Sequence, residues 1–571
     1  MSGQTTNQQF GLALSGGGFR ASLYHLGVIR FLREAHILPS ISTITSVSGG
    51  SIIAAHLVLN WERYCGTEEA FQEAADELLH FVRMDVRNRI VRRFPLLAVV
   101  NVLRRLLLQG SARRLGRTGL LERHYEEFLY GDTGLMQLPD SPRLYILATN
   151  LSEGSLCAFC REGLLLQRRS VADNSIEVQT VHMGLATVSM AVAASSAFPG
   201  FFPPLDLSYK DVGATEGEFP QHAFTDGGIY DNLGLRMFRY LQGQIGSAQA
   251  RGEANRLMGT TELDGVLVSD AGATLKVRSG SSGGGLLRTA IRSSDILMDR
   301  VYQLELGTFA DTDKVAFFPI TRLVEPTQDR TAMHPEVQRQ TALIRTDMDR
   351  FTELEISTLV QHGYCVARQV VRELPSFTRY DIPEGPPWDP SASQESVQGV
   401  RTDSLGEPAV ALPVARMLQR SSNRRVVSTL FHSRDWPTYV WLPLIFLTVF
   451  GVPFIVYDAR KTAIQQQQVL SALAQSSPLY ADVLEFLDQK RPDPIAPIRF
   501  EQVDSVEPLD FTGYDVVSDD RVYDLRGWTS GEHPRYPARM HARFRMLRTE
   551  AAKDRPVLRI QLPSDQEEMH A

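Results

Sequence analysis

Cysteine is scarce in this chain. Four cysteines in 571 residues, with Cys65 and Cys365 isolated, exclude a disulfide framework. Cys157-Ala158-Phe159-Cys160 is a CxxC pair, but no second pair completes a zinc site. It lies in a strand-like run, Leu156 to Leu166, and is read as structural. There is no excess of positive charge either: a formal net charge of −7 excludes a global nucleic-acid footprint. The polar stretch Met1 to Gln9 lacks a signal-peptide core, and the first apolar run, at Phe10, belongs to the fold. Gly280 to Gly285 forms a flexible Gly/Ser loop without the Gly-Lys-Ser/Thr end of a phosphate loop. Apolar content of 43% and charged content of 22% are those of a globular protein, and the length calls for more than one structural unit.

The rest of the chain is organised around Thr45-Ser46-Val47-Ser48-Gly49-Gly50-Ser51. Ser40 to Val47 mixes β-branched and small residues and predicts a strand. Ile52 to Leu59 predicts a buried helix ending near Trp61. Between them is a tight turn with a serine at its apex, the layout of a nucleophile elbow. Only Ser48 fits the G-x-S-x-G register, because Gly50 sits two residues after it; Ser46 occupies the first glycine position. The helix N-terminus would turn free N–H groups and its positive dipole end toward Ser48.

One strand earlier, Phe10 to Leu14 leads into Ser15-Gly16-Gly17-Gly18-Phe19-Arg20-Ala21 and a helix with apolar residues at Leu23, Leu26, Ile29 and Leu32. Gly16-x-Gly18-x-x-Ala21 matches the loose dinucleotide fingerprint. No Asp or Glu ends a second strand about 20 residues on, as a ribose contact requires. The Ser48 elbow stands there instead, so the pair of turns suits an oxyanion hole beside a nucleophile.

Arg83 to Arg117 holds ten arginines and one acid, Asp85, interleaved with Phe94 to Val100 and Leu106 to Leu108. It fits either a solvated basic face or an amphipathic segment seeking anionic lipid. Arg143 to Asn150 predicts a buried strand, and Met190 to Pro204 a small-residue helix stopped by Pro199. Phe224-Thr225-Asp226-Gly227-Gly228 places an acid at a strand end before a glycine turn, and Leu263 to Ser269 is another strand. Thr341 to Leu374 predicts the helix that closes the domain. Ser376 to Val414, rich in Pro, Gly, Ser and Asp, predicts a linker. Trp436 to Tyr457 runs about 22 residues without a charge, enough to cross a bilayer, with aromatic residues at both ends. Arg416, Arg420, Arg424, Arg425 and Arg434 precede it and only Arg460 and Lys461 follow closely, which puts its N-terminal side in the cytoplasm. Helices over Thr462 to Lys490 and a strand-rich module from Ile498 to Leu562 complete the tail, whose function is not legible.

Gly16-Gly17-Gly18-Phe19-Arg20, the Ser48 elbow and Asp226-Gly227-Gly228, in that order, resemble the patatin-like phospholipase family, bacterial branch. Ala194 to Pro204 is similar to a further segment of that family. The resemblance covers about Phe10 to Leu374, and Ser46 and Ala21 depart from the family's glycines. It implies a three-layer α/β sandwich with a mainly parallel sheet and a Ser-Asp dyad. Ser48 would attack an ester carbonyl and Asp226 would carry the proton. The N–H groups of Gly17, Gly18 and Gly49 would hold the oxyanion. Gly16 and Arg20 are counted with that hole, Arg20 as a brace for the loop or a source of positive charge. Gly50, Gly227 and Gly228 complete the motifs. Metal and cofactor are not implied. His25 and His56 lie two helical turns past their loops, too far to reach Ser48, which leaves His222 as the rival base.

The expected organisation is a catalytic domain over 1–375, a linker over 376–435, a transmembrane helix over 436–457 and a small α+β tail module over 458–571. The expected activity is hydrolysis of carboxylic esters of membrane phospholipids or other acyl-ester lipids, by a single-pass protein with a cytoplasmic catalytic domain. A catalytically silent lipid- or protein-binding scaffold, and an acyltransferase, are the alternatives.

Overall fold

The computed structural model describes residues 8–108, 116–169, 176–241, 263–272, 286–309, 314–391, 408–422, 424, 430–431, 433, 435–461 and 464, and four short strands between 515 and 561. The chain divides into two compact units, Met1–Tyr439 and Val440–Ala571.

The first unit is built on one sheet. Strands β1 (Phe10–Leu14), β2 (Ile41–Val47), β3 (Arg143–Asn150), β4 (Ser155–Cys160), β5 (Gly163–Arg169), β6 (Ile176–Val181), β7 (Leu205–Leu207), β8 (His222–Asp226), β9 (Gly265–Asp270) and β10 (Val315–Pro319) join it. The order is β10-β9-β1-β2-β3-β4-β5-β6, with β8 also on β3 and β7 on β8. The central five strands, β10 through β3, run parallel. The near-continuous apolar runs of β1, β9 and β10 suit strands buried on both faces. β4 to β6 continue the sheet antiparallel, because β3 to β5 are joined by turns too short for a crossover. The expectation of a mainly parallel sheet therefore describes the half from β10 to β3 and not the flank.

Successive residues of each central strand feed two different cores. Leu144, Ile146 and Ala148 of β3 join the larger core, while Tyr145 and Leu147 join another on the opposite face. Leu12 and Leu14 of β1 likewise face the larger core, while Ala13 meets Val266 and Val268. Helices α1 (Gly18–Glu34), α2 (Gly49–Leu59) and α3 (Glu68–Val82) cover the larger core with the helix Glu353–Glu373. The helix Leu286–Phe309 contributes Tyr302 and Leu306 to the other side. Helices on both faces of the sheet make the three layers expected from alternating strands and helices. The CxxC cysteines sit on opposite faces of β4, Cys157 in the larger core and Cys160 in the other, both unpaired. Their spacing of three along a strand dictates that separation, and the structural reading of the pair stands.

Three features differ from the sequence reading. The helix drawn over Thr341 to Leu374 is two helices, Pro335–Ala342 and Glu353–Glu373. Thr352 and Glu355 form a capping box that starts the second one, and the intervening segment folds back toward the glycine loop. The described parts of the predicted linker over 376–435 belong to the first unit, and several of their residues dock on it. Phe377 stacks on Phe10 at 5.1 Å, Trp388 meets Phe71 at 5.3 Å, and the helix Pro408–Ser422 buries Val414 and Leu418. A few apolar anchors suffice to seat a segment whose average composition is polar. The Arg-rich stretch forms helix α4 (Val86–Leu108). Several of its arginines pair with acids distant in sequence, Arg83 with Glu353, Arg87 with Asp347, and Arg92 and Arg93 with Asp435. The local scarcity of acids therefore did not mean a solvated face. Arg104, Arg105, Arg113 and Arg114 have side chains outside the described residues, as do Gly280 to Gly285 in full.

The second unit is described in part. The helix Pro437–Lys461 is 25 residues long, and its long apolar stretch is not buried. Pro443 lies inside it, and a wider turn over Leu447–Gly451 follows. Proline removes one backbone donor, and local widening absorbs the mismatch. Within the tail, strands pair antiparallel as Asp515–Ser518 with Arg521–Asp524 and Arg543–Met546 with Leu558–Gln561. The helices expected over Thr462 to Lys490 lie outside the described residues apart from Ile464.

Candidate active site

Strand β3 brings two distant parts of the chain together. Along one edge its first half pairs with β2, ending at Leu147 opposite Val47. Its last three residues pair with β8 running the other way, with Ala148 opposite Asp226. The C-terminal ends of β2 and β8 thus meet head to head on adjacent residues of one strand. The next residue after β2 is Ser48, and Asp226 is the last of β8.

Ser48 occupies a sharp turn. Its φ of 50° and ψ of −119° are unusual for a non-glycine residue, a conformation that costs about 1–3 kcal/mol and collects at active sites. Tight packing holds it there. Gly49 lies against the backbone of Gly18, and Gly50 against Leu14 O and Ser15 O, with no room for a Cβ at either. Ser22 Oγ donates to Gly49 O at 2.7 Å, and the Ser48 N–H donates to Ser195 Oγ at 2.9 Å. Ser195 Oγ also bonds Ser51 Oγ at 2.8 Å, and Ser51 Oγ bonds Ser46 Oγ at 3.1 Å. Ser46, at the position where the elbow pattern has its first glycine, thus ends a chain of hydroxyls beneath Ser48.

Three buried carboxylates lie at this end of the sheet. Asp231 is spent on a turn: Oδ1 accepts the N–H groups of Leu233 and Gly234, and Oδ2 that of Arg236. Asp270 Oδ1 accepts from Gly272 N–H at 2.8 Å and Oδ2 from the Tyr302 hydroxyl at 2.7 Å. Asp226 Oδ1 accepts from Gly228 N–H at 2.8 Å, whereas its buried Oδ2 has no well-formed hydrogen bond among the described residues. The Ser48 hydroxyl lies within reach of that carboxylate. Burial pushes the Asp226 carboxyl up to about 6, opposed by the Ser48 hydroxyl and the Gly228 N–H. A carboxylate raised in this way is a stronger base than one in water, yet ionised near neutral pH. Gly227 lets this turn lie against Leu147 O and Val47, where a Cβ would collide.

The glycine loop faces the same turn. Gly18 has φ of 57° and stands against the backbone of Asp347. No backbone hydrogen bond between described residues takes the N–H of Gly17, Gly18 or Gly49, as befits the open first turn of a helix. Gly16 is different. Its N–H donates to Asn232 O at 3.1 Å, so it is committed to the fold and not to an oxyanion. Arg20 is buried, and its guanidinium donates to Ala342 O, Ile344 O and Ala271 O at 3.1, 2.8 and 2.6 Å. These bonds tie the residue after Phe19 to two other segments of the chain.

The imidazoles stand elsewhere. His25 bonds Ser269 Oγ and Ser15 O, and burial pushes it down to about 4. His56 bonds the Tyr64 hydroxyl and Glu77. His222 is at the far end of β8, paired with Leu207 and with its ring 4.9 Å from that of Phe219, about 13 Å along the strand from Asp226.

Sequence reasoning missed Ser195 and Asn232. Ser195 lies in the small-residue segment already singled out, but nothing local marks it as the acceptor for the Ser48 N–H. The Asn232 amide sits where a Cβ on Gly16, Gly228 or Gly272 would land, so three glycines pack around it. Only the fold brings those three turns together. Ser195→Ala should leave the fold intact and lower kcat roughly 10- to 100-fold through a misplaced Ser48, with KM little changed. Unchanged kcat would mean that the hydroxyl chain does not position the elbow.

Residues 12–239 match the family model described as Patatin-like phospholipase. A comparison with curated protein sequences gives no match. Among solved structures, the human GIVD cytosolic phospholipase A2 aligns at 15% identity and a TM-score of 0.23, over 33% of this chain and 28% of that one. The same human protein in complex with methyl gamma-linolenyl fluorophosphonate inhibitor and terbium chloride aligns at 12% identity and a TM-score of 0.36, over 65% of this chain and 59% of that one. VipD from Legionella pneumophila aligns at 13% identity and 0.26, over 64% and 67%. The chain thus spans less than two thirds of the human protein's length in both alignments.

Proposed function

We propose that this protein is a membrane-tethered lipid acyl hydrolase working through a Ser48–Asp226 dyad. One observation carries the reading. The head-to-head meeting of β2 and β8 on β3 sets the strained Ser48 beside a buried carboxylate with one oxygen not otherwise engaged. The match of residues 12–239 to a phospholipase family supports an ester of a lipid as substrate.

In the first half-reaction Ser48 Oγ attacks the acyl carbonyl carbon while its proton passes to Asp226. The N–H groups of Gly17, Gly18 and Gly49 receive the developing oxyanion, and loss of one such donor typically costs about 100- to 1000-fold. Collapse breaks the bond to the alcohol, which leaves with the proton from Asp226. In the second, water attacks the Ser48 ester, Asp226 takes the water proton, and collapse returns a proton to Ser48. A fluorophosphonate tests this against a silent scaffold. It should label the native protein at Ser48 and nowhere else; an unlabelled folded protein would favour the scaffold.

The apolar helix Pro437–Lys461 supports a tether, since its length covers a hydrocarbon core and its apolar side chains are exposed. The arginine excess on its N-terminal side supports a cytoplasmic catalytic domain with the tail outside. In intact cells an external protease should then cut the tail and spare the catalytic domain. Equal protection of both would reject this topology, and release of the protein by high salt alone would reject the span.

A further inference from the structure

The fold uses the backbone of Asn232 and leaves its side chain unspent. The carbonyl accepts the N–H of Gly16 at 3.1 Å. The residue is half-buried, and no hydrogen bond among the described residues engages its carboxamide. Such a group keeps an acceptor oxygen and a donor nitrogen for something that enters the site.

The carboxamide flanks both reacting groups. A Cβ added at Gly16 would lie 2.4 Å from Asn232 Oδ1 and 3.2 Å from Ser48 Cβ. A Cβ added at Gly228 would lie 2.7 Å from the same Oδ1 and 3.0 Å from Asp226 Oδ1. The amide nitrogen is turned the other way: a Cβ added at Gly272 would lie 2.9 Å from Asn232 Nδ2 and 3.0 Å from Asp270 Oδ1. Asp270 accepts from Gly272 N–H and from the Tyr302 hydroxyl, so an acceptor surface lies on the nitrogen's side. The amide oxygen is thereby left to the side of Ser48 and Asp226.

Release of an acyl group from Ser48 has a place for that oxygen. Attacking water carries two hydrogens, and Asp226 takes only one of them. We propose that the Asn232 carboxamide is a further catalytic group, its Oδ1 accepting the second hydrogen of the attacking water, and that it thereby makes water and not an alcohol the acceptor of the acyl group. The inference rests on the Ser48–Asp226 reading above and adds to it the acceptor. The water oxygen bonds the acyl carbon while one proton passes to Asp226. The bond from that carbon to Ser48 Oγ then breaks, and Asp226 returns the proton to Oγ. The second hydrogen stays on the departing carboxylic acid. An alcohol has carbon where water has this hydrogen, so it would leave Oδ1 unpaired.

The test uses the full chain in detergent, with 4-nitrophenyl butyrate as the acyl donor. The reaction contains methanol at about 1 M, and gas chromatography measures butyric acid against methyl butyrate; unpaired site groups set the discrimination. The wild type should form at least roughly tenfold more acid than methyl ester. Asn232→Leu, close to asparagine in shape but without the acceptor, should lower that ratio roughly tenfold. A merely structural role would slow both products together and leave the ratio unmoved. Should Asn232→Leu fold poorly, Asn232→Ala adds no atom among the three glycines and should show the same fall. A wild type that makes as much methyl ester as acid, or an unchanged ratio in the variant that folds, would overturn the proposal. A wild type that does not consume the ester would instead remove the hydrolase reading, and this inference with it.

Discussion

Ser48→Ala should leave membranes without the free fatty acids and lyso-lipids that the proposed hydrolase would release. Lipid mass spectrometry of membranes incubated with each protein reads this directly. The expected loss is at least about 10⁴-fold, because nucleophile and base act as one unit and only binding and oxyanion contacts remain. The substitution should not disturb the fold. Ser48 is held through its backbone: its N–H bonds Ser195, and Gly49 and Gly50 are locked against Gly18 and Leu14. Alanine meets the same backbone strain at φ 50° as serine does. A folded, inactive variant would therefore report on chemistry and not on stability, and full retention of lipid turnover would remove Ser48 from the mechanism.

Asp226→Asn should cost nearly as much, and it should separate activity from stability. The amide can keep the hydrogen bond from Gly228 N–H through its oxygen, but it cannot accept the Ser48 proton. The double variant with Ser48→Ala should be no slower than Ser48→Ala alone. Stability moves the other way. The folded-state carboxyl titrates at about 6 and the ordinary value is 3.8, so the folded protein holds its proton more tightly than the unfolded chain. Below about pH 4 both states are protonated and no penalty exists; above about pH 6 the buried charge opposes folding. The difference between the folded and ordinary values corresponds to about 3 kcal/mol at pH 8. Asp226→Asn should accordingly raise Tm at pH 8 and change it little at pH 4. The wild-type rate should fall about tenfold per unit below pH 6 as the base is protonated. Thermal unfolding at the two pH values and a pH–rate profile check both statements. A lower Tm at pH 8 would mean that the charge is stabilised in place.

The two turns were legible because their chemistry is local. Strand, glycine turn and helix alternate twice within the first sixty residues, and each step has its own composition. Asp226 was legible as an acid before two glycines. What the sequence did not carry is which turns meet. Ser195 and Asn232 are ordinary polar residues until β8 reverses along β3 and brings their segments under Ser48. Gly16 reads like its two neighbours, yet Asn232 O consumes its N–H. The arginines between Arg83 and Arg93 read as a basic run with one acid because their distant partners, Glu353, Asp347 and Asp435, lie more than 250 positions away. The segment after Phe377 read as a linker because composition averages over a few anchors, and Trp388, Val414 and Leu418 are few. Long-range pairing, unlike periodicity, leaves no trace in a window of ten or twenty residues.

The central claim is that a carboxylate, and not an imidazole, activates Ser48. Turnover of one short ester at pH 8 by the wild type, Asp226→Asn and His222→Ala tests it in a single assay. His222→Ala should retain most of the wild-type rate, since His222 stands at the opposite end of β8, and Asp226→Asn should retain almost none. Near-normal turnover in Asp226→Asn together with its loss in His222→Ala would contradict the account and require a Ser-His arrangement.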